Sequence, residues 1–173
     1  PPKAYGESKS RESIIGRTGL TLDAMALPEV AVEHSLSLLL NPQRLNRLAQ
    51  QQARSNDFYS LDNMLEQLYK QIFKVSSPNT MAGKITQRTQ YLTTKAFADL
   101  VASNNVSPEV QAQVRYYLVK LGEDFNQNSM LSHTSTGESA FKQFLAEQIK
   151  LFLIKGEWPS NFEALPIPPG SPI

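Results

Sequence analysis

Cysteine is absent from the 173 residues. That excludes disulfide frameworks, thiolate zinc sites, iron–sulfur clusters and cysteine nucleophiles together. Histidine is scarce: there are 2, His34 and His133, far apart in sequence, and neither has a second His or a carboxylate at the spacing of an H-E-x-x-H motif. Excess charge of one sign is also missing. The 17 Lys+Arg against 16 Asp+Glu leave a formal net charge of +1, so no strong global field draws in nucleic acid or anionic lipid. Apolar runs such as Leu38-Leu39-Leu40 fall far short of the ~20 residues that cross a bilayer. No signal-peptide pattern is visible, and the chain opens on Pro1-Pro2 rather than Met, which predicts a piece of a longer polypeptide.

What is present suffices for one domain. Hydrophobic residues make up 40% of the chain, and a chain of this size buries roughly 70% of its unfolded surface. Residues 1–26 are polar, broken by Gly6, Gly16 and Gly19, and read as an irregular arm. From Leu27 on, helix punctuation is dense. Pro28-Glu29 suits a first turn, because proline lacks only an N–H that would be orphaned there. Val30, Leu36, Leu38, Leu39 and Leu40 predict a helix apolar over much of its circumference, hence a central one.

Asn41-Pro42 is a cap followed by proline at the first helical position. The helix it opens carries Leu45, Leu48, Ala49 and Gln52 on one side, and at ~100° per residue Arg44, Arg47 and Arg54 fall on the other. Ser60 is the expected cap of the next helix, whose Leu61, Met64, Leu65, Leu68, Ile72 and Phe73 repeat at i, i+3, i+4; Ser76-Ser77-Pro78 ends it. A longer helix runs from about Thr80 to Ser103 and presents Ile85, Leu92, Ala96, Phe97 and Leu100. Another starts at Ser107-Pro108-Glu109, turns Val110, Val114, Tyr117, Leu118 and Leu121 inward, and stops at Gly122. Residues 123–134 then read as a loop.

Ser135-Thr136-Gly137-Glu138 has capping-box spacing. It opens a last helix with Phe141, Phe144, Leu145, Ile149 and Phe152 inward, closing at Gly156. Residues 157–173 are too rich in proline for helix or central strand. They predict an extended tail docked on the domain through Trp158, Phe162, Leu165 and Ile167. No stretch alternates with period 2. The expected fold is all-α: one bundle of five to six helices over 27–156, with the arm before it and the tail after it.

The residues that could carry chemistry are few. His34 follows Glu33 in an apolar helix, and the spacing predicts a core-edge histidine with one ring nitrogen hydrogen-bonded. Ser132-His133-Thr134-Ser135 sets hydroxyls beside an imidazole without an orienting third group, which is ordinary turn chemistry. Glu123-Asp124 are adjacent and poorly placed to face one substrate. Gly16-Arg17-Thr18-Gly19 lacks the GK[ST] ending and the preceding strand of a phosphate loop. Arg44, Arg47 and Arg54, with Lys70, Lys74, Lys84 and Arg88 further on, form the one candidate basic surface. Asp57, Asp62 and Glu66 interleave with it, as on a solvated helix face. No catalytic, cofactor-binding or metal-ligating residue is assigned; Arg44, Arg47, Arg54 and His34 remain as surface candidates.

Gly16-Arg17-Thr18-Gly19-Leu20-Thr21-Leu22-Asp23, followed by His34-Ser35-Leu36-Ser37-Leu38-Leu39-Leu40 and Asn41-Pro42-Gln43-Arg44-Leu45-Asn46-Arg47-Leu48, resembles the C-terminal part of large bacterial zinc-dependent metalloproteases of metzincin-like type. In that family a leucine-rich helix leads into a Pro-x-Arg-x-x-Arg-Leu helix. A helix similar to Tyr59–Leu68 follows, and an ending similar to Pro168-Pro169-Gly170-Ser171-Pro172-Ile173 recurs.

The family's catalytic signature, H-E-x-x-H-x-x-G-x-x-H, has no counterpart here, so no zinc ligand is carried over. The resemblance implies a non-catalytic helical accessory domain that packs against the catalytic unit of the same polypeptide and helps shape its cleft. Zinc is expected in that unit, not in this chain, and the parent is expected in the periplasm or outside the cell. The alternatives are a free-standing helical protein–protein interaction module and a weak nucleic-acid binder using the Arg44/Arg47/Arg54 face.

Overall fold

The computed structural model describes residues 29–55, 61–73, 81–131 and 136–159. Among them are six helices and no strand: α1 (Glu29–Leu39), α2 (Pro42–Ser55), α3 (Leu61–Ile72), α4 (Met81–Ala102), α5 (Pro108–Leu131) and α6 (Thr136–Lys155). The all-α expectation holds. The arm over 1–26, Ser60, Lys74, Ser76–Pro78, the Ser132–Ser135 run with His133, and residues 160–173 lie outside the described residues.

Local signals in the sequence account for several boundaries. Asn41 Oδ1 accepts the Arg44 N–H at 3.1 Å, and Ser107 Oγ accepts the Val110 N–H at 3.4 Å. Both are side-chain caps placed just before a proline at the first helical position. At the other extreme Gly156 adopts φ 82° and its N–H reaches the Phe152 carbonyl at 2.7 Å. That left-handed stop has no steric cost only for glycine.

The predicted apolar faces meet in one core. Leu45, Leu65, Phe97, Val110, Leu118, Leu121, Phe125 and Leu145 are fully buried, and Phe144 is partly so. Complete burial of such side chains stabilises the fold by roughly 1.5–3 kcal/mol each. The bundle centres on α5, which packs against α2, α3, α4 and α6, while α1 lies on α4.

Two expectations need correction. Gly122 does not end a helix: α5 runs on to Leu131, through most of the stretch read as a loop. The apolar ladder continues through Leu118, Leu121 and Phe125, and burying Phe125 outweighs the ~1 kcal/mol penalty of an interior glycine. Gly122 instead lets α6 come close. A Cβ there would stand 3.0 Å from Ile149 Cγ2. Second, α1 is not central. Leu38 is 62% exposed, because Val32, Leu36, Leu39 and Leu40 already fill the face turned to the core.

Helix ends leave backbone N–H and C=O groups without intrahelical partners. Here side chains of neighbouring helices take up several of them. Arg44 of α2 donates through Nη1 to the Leu39 carbonyl at 3.2 Å, closing α1. At the start of α3, Gln52 Oε1 accepts the Asp62 N–H at 3.3 Å, and at its end the buried Gln90 of α4 donates to the Ile72 carbonyl. Asn46 clamps the α4–α5 connection with both halves of its amide. Its Nδ2 donates to the Asn105 carbonyl at 3.0 Å and its Oδ1 accepts the Ser107 N–H at 2.7 Å.

Asp62 ties α3 to α5, with Oδ1 accepting from the Gln113 amide and from the Tyr117 hydroxyl at 3.1 Å. Burial first, then the Asp62 charge and hydrogen bond, hold the Tyr117 proton well above the ordinary phenol range.

Leu65→Ala is expected to cost about 2–5 kcal/mol and Phe144→Ala less, since its ring is only partly covered; chemical denaturation midpoints measure both. Asn46→Ala removes two hydrogen bonds from one loop and should cost about 1–3 kcal/mol. Asn46→Asp keeps the acceptor for Ser107 but faces the Asn105 carbonyl with an oxygen, so it should recover only part of that loss. The native state holds the Tyr117 proton more tightly than the unfolded chain. Its contribution is therefore intact below the unfolded phenol value of 10.0 and is lost as pH rises above it. Thermal melts should lose midpoint temperature above about pH 10, and Tyr117→Phe should flatten that decline.

Candidate docking groove between α1 and α4

Where α1 crosses α4 the two helices do not close completely. A groove of about 580 Å³ remains between Leu36 and Leu40 of α1 and Leu92, Ala96 and Leu100 of α4. The floor follows from helical spacing. Leu92, Ala96 and Leu100 recur every fourth residue and so share one face. Ala96 is the short step in that row, and a methyl between two leucines leaves room above it. The volume falls within the range of ligand clefts, ~300–1,000 Å³, but the shape is an open trough lined along the helix axes.

Charges line the rim. Glu33 stands on the α1 side, and Arg88, Lys95 and Asp99 on the α4 side. Lys95 Nζ and Asp99 Oδ2 lie 3.1 Å apart, one turn from each other, with side chains 41% and 61% exposed. So open a pair contributes little to stability. It does present both signs of charge to anything laid along the groove.

An aromatic corner closes one end. Tyr91 lines the groove, with the Arg88 guanidinium carbon 5.2 Å from its ring centroid. On its other side the Trp158 ring meets it edge-on at 6.1 Å, and Trp158 also lies 6.5 Å from Phe152. Such pairs contribute about 0.5–1.5 kcal/mol beyond the area they bury. Trp158 therefore packs on the domain; Phe162, Leu165 and Ile167, the other anchors expected of the tail, lie outside the described residues. The Trp158 Nε1 is buried and meets no acceptor among the described residues.

The sequence-predicted candidates do not come together. Arg44 is half-buried and engaged with the Leu39 carbonyl. Arg47 and Arg54 are exposed on the outer face of α2, Arg54 in the last turn, where a cation suits the helix dipole. Lys70 pairs with Glu66 on its own helix at 3.2 Å. Arg88, grouped with the basic surface in the sequence, belongs to the groove instead. His34 is exposed rather than at the core edge, a further correction. It falls about 200° round the helix from both Val32 and Leu36, so the face that buries those two turns it outward. Its own backbone carbonyl accepts the Ser37 hydroxyl at 2.7 Å.

The groove itself was missed because Leu92, Ala96 and Leu100 read as uninterrupted core. The one available signal was alanine at the middle of a leucine row. Among the described residues no group of three or more His, Asp or Glu is placed to hold a metal ion, and no helix is long and apolar enough to cross a membrane. What the groove can do is bind. It offers an apolar floor to apolar side chains, flanking charges to orient them, and an aromatic stop.

Residues 2–79 match the family model described as Met-zincin. That bears out the resemblance to metzincin-like metalloproteases read from Gly16–Asp23, His34–Leu48 and Tyr59–Leu68. The match takes in α1, α2 and α3 and stops short of α4; the likeness of Pro168–Ile173 lies beyond it. No curated protein and no solved structure matches the chain.

Proposed function

We propose that this chain is a helical accessory domain of a bacterial zinc-dependent metalloprotease of metzincin type, which packs against the catalytic unit and takes no chemical step itself. The observation that carries the reading is the Met-zincin match over residues 2–79. It falls on a part of the chain whose described side chains build helix contacts and caps.

The described residues do not fit a metzincin zinc site. His34 lies exposed on α1, and the signature needs two imidazoles one helical turn apart with a glutamate between them. The zinc, in this reading, belongs to the catalytic unit, and the parent works in the periplasm or outside the cell. The face offered to that unit is the outer side of α1, where Leu38 is 62% exposed and His34 lies one turn before it. Covering the Leu38 side chain would remove apolar surface from water.

A second reading, a free-standing protein–protein interaction module, is favoured by the α1–α4 groove. The full gene separates the two: an H-E-x-x-H motif encoded upstream supports the metalloprotease, and its absence supports the module.

The purified chain, given zinc and casein, is expected to show no chelator-sensitive hydrolysis; clear hydrolysis would overturn the accessory reading. With the catalytic unit expressed as a separate chain, Leu38→Glu should weaken co-purification at least about tenfold, the scale of one lost apolar contact, while the unfolding midpoint stays in place. Unchanged co-purification would remove α1 as the docking face.

A further inference from the structure

We propose that the groove between α5 and α6 is a self-association surface, filled by the α6 of a second copy running in the opposite direction. The inference is independent of the metalloprotease reading, which puts its contact on α1.

Between α5 and α6 a groove of about 450 Å³ remains, with Val119, Ala146 and Leu153 supplying apolar floor. On α6 the lining runs through Gln143, Ala146, Glu147, Lys150, Leu153 and Ile154. Those positions recur at i, i+3, i+4, i+7, i+10 and i+11, the spacing of a helix face that seats another helix. The stripe is distinct from Phe141, Leu145 and Phe152, which α6 buries in its own core. At its end Ile154 is 71% exposed. A lone exposed apolar side chain is ordinary on a protein surface; this one stands in line with a groove that has the floor to receive it.

The charges identify the occupant. Glu147 and Lys150 line the groove and are both exposed. Neither is paired with an opposite charge among the described residues. They are opposite in sign and three residues apart on one face. With a second α6 laid antiparallel about a two-fold axis midway between them, Glu147 meets the partner's Lys150 and Lys150 meets the partner's Glu147. A parallel copy in register would set like charge against like, which is costly. An isologous contact requires this kind of self-complementarity. In the same register Ile154 stands level with the partner's Gln143, one turn from the partner's Ala146, where a bare methyl leaves room. A formal net charge of +1 sets up no strong repulsion between copies. The stripe from Gln143 to Ile154 is about 17 Å long at the helical rise. A helix contact of that length lies at the small end of specific interfaces, so the association is weak and reversible.

Sedimentation velocity on the full chain, from about 10 μM to about 1 mM as suits a weak contact, is expected to show a monomer–dimer equilibrium. Glu147→Lys and Lys150→Glu should each raise the dimer dissociation constant at least about tenfold. Mixed in equal amounts the two variants should associate again, because each restores the pairing the other lost. Ile154→Asp should weaken the dimer on the same scale, and the unfolding midpoint should hold for all three, since the altered side chains are exposed. A monomer across the whole range would overturn the proposal and leave the groove to a different partner. A dimer indifferent to all three substitutions would place the contact on another face and overturn it too. A mixture that stays monomeric would overturn the antiparallel pairing.

Discussion

Helix termini, rather than helix faces, set the constraint on which this bundle depends. Each helix carries unpaired backbone groups at both ends, and burying such a group without a partner costs about 1–3 kcal/mol. In this chain long amide and guanidinium side chains from adjacent helices reach those ends. α3 is held at its start by Gln52 and at its finish by Gln90, and Asp62 in its first turn is gripped by Gln113 and Tyr117. The Asn46 amide locks the turn from α4 to α5. Because every such bond joins two elements, it fixes rotation and register as well as satisfying a donor or acceptor. The apolar stripes alone would permit neighbouring helices to slide.

The same economy explains where the fold stays open. α5 and α6 approach so closely that a Cβ at position 122 would stand 3.0 Å from Ile149 Cγ2. α1 and α4, by contrast, leave a trough above Ala96. Small residues thus act in opposite senses. Where the partner helix is close, the missing side chain brings backbones together; where α1 crosses α4, the short side chain leaves a space. The α1–α4 groove arises from the second case. It rests on the rigid long helix α4, whose far side is buried in the core.

Much of this could be read from residue order. Asn41-Pro42, Ser107-Pro108 and Gly156 mark boundaries because capping is local chemistry that involves residues three or four apart. The inward faces of α3, α5 and α6 follow from period alone. Gly122 misled because glycine has two uses, and a left-handed stop cannot be told from a close approach without knowing what packs opposite. His34 and Leu38 depart from the sequence expectation because an apolar helix reads as central, whereas only one face of α1 is turned to the core. Arg44 looked like a surface cation until the end of α1 was set beside it.

Helix content, cap positions, the apolar stripes, the near-neutral charge and the metzincin-like stretches were determined by the sequence itself, since each depends on neighbours along the chain. The tertiary structure decided which glycine ends a helix and which admits another, which amide side chains clamp distant termini, and that Arg88, Tyr91 and Trp158 share one corner. Those are contacts between residues far apart in sequence. Their partners are chosen by how whole helices pack, and no local pattern carries that information.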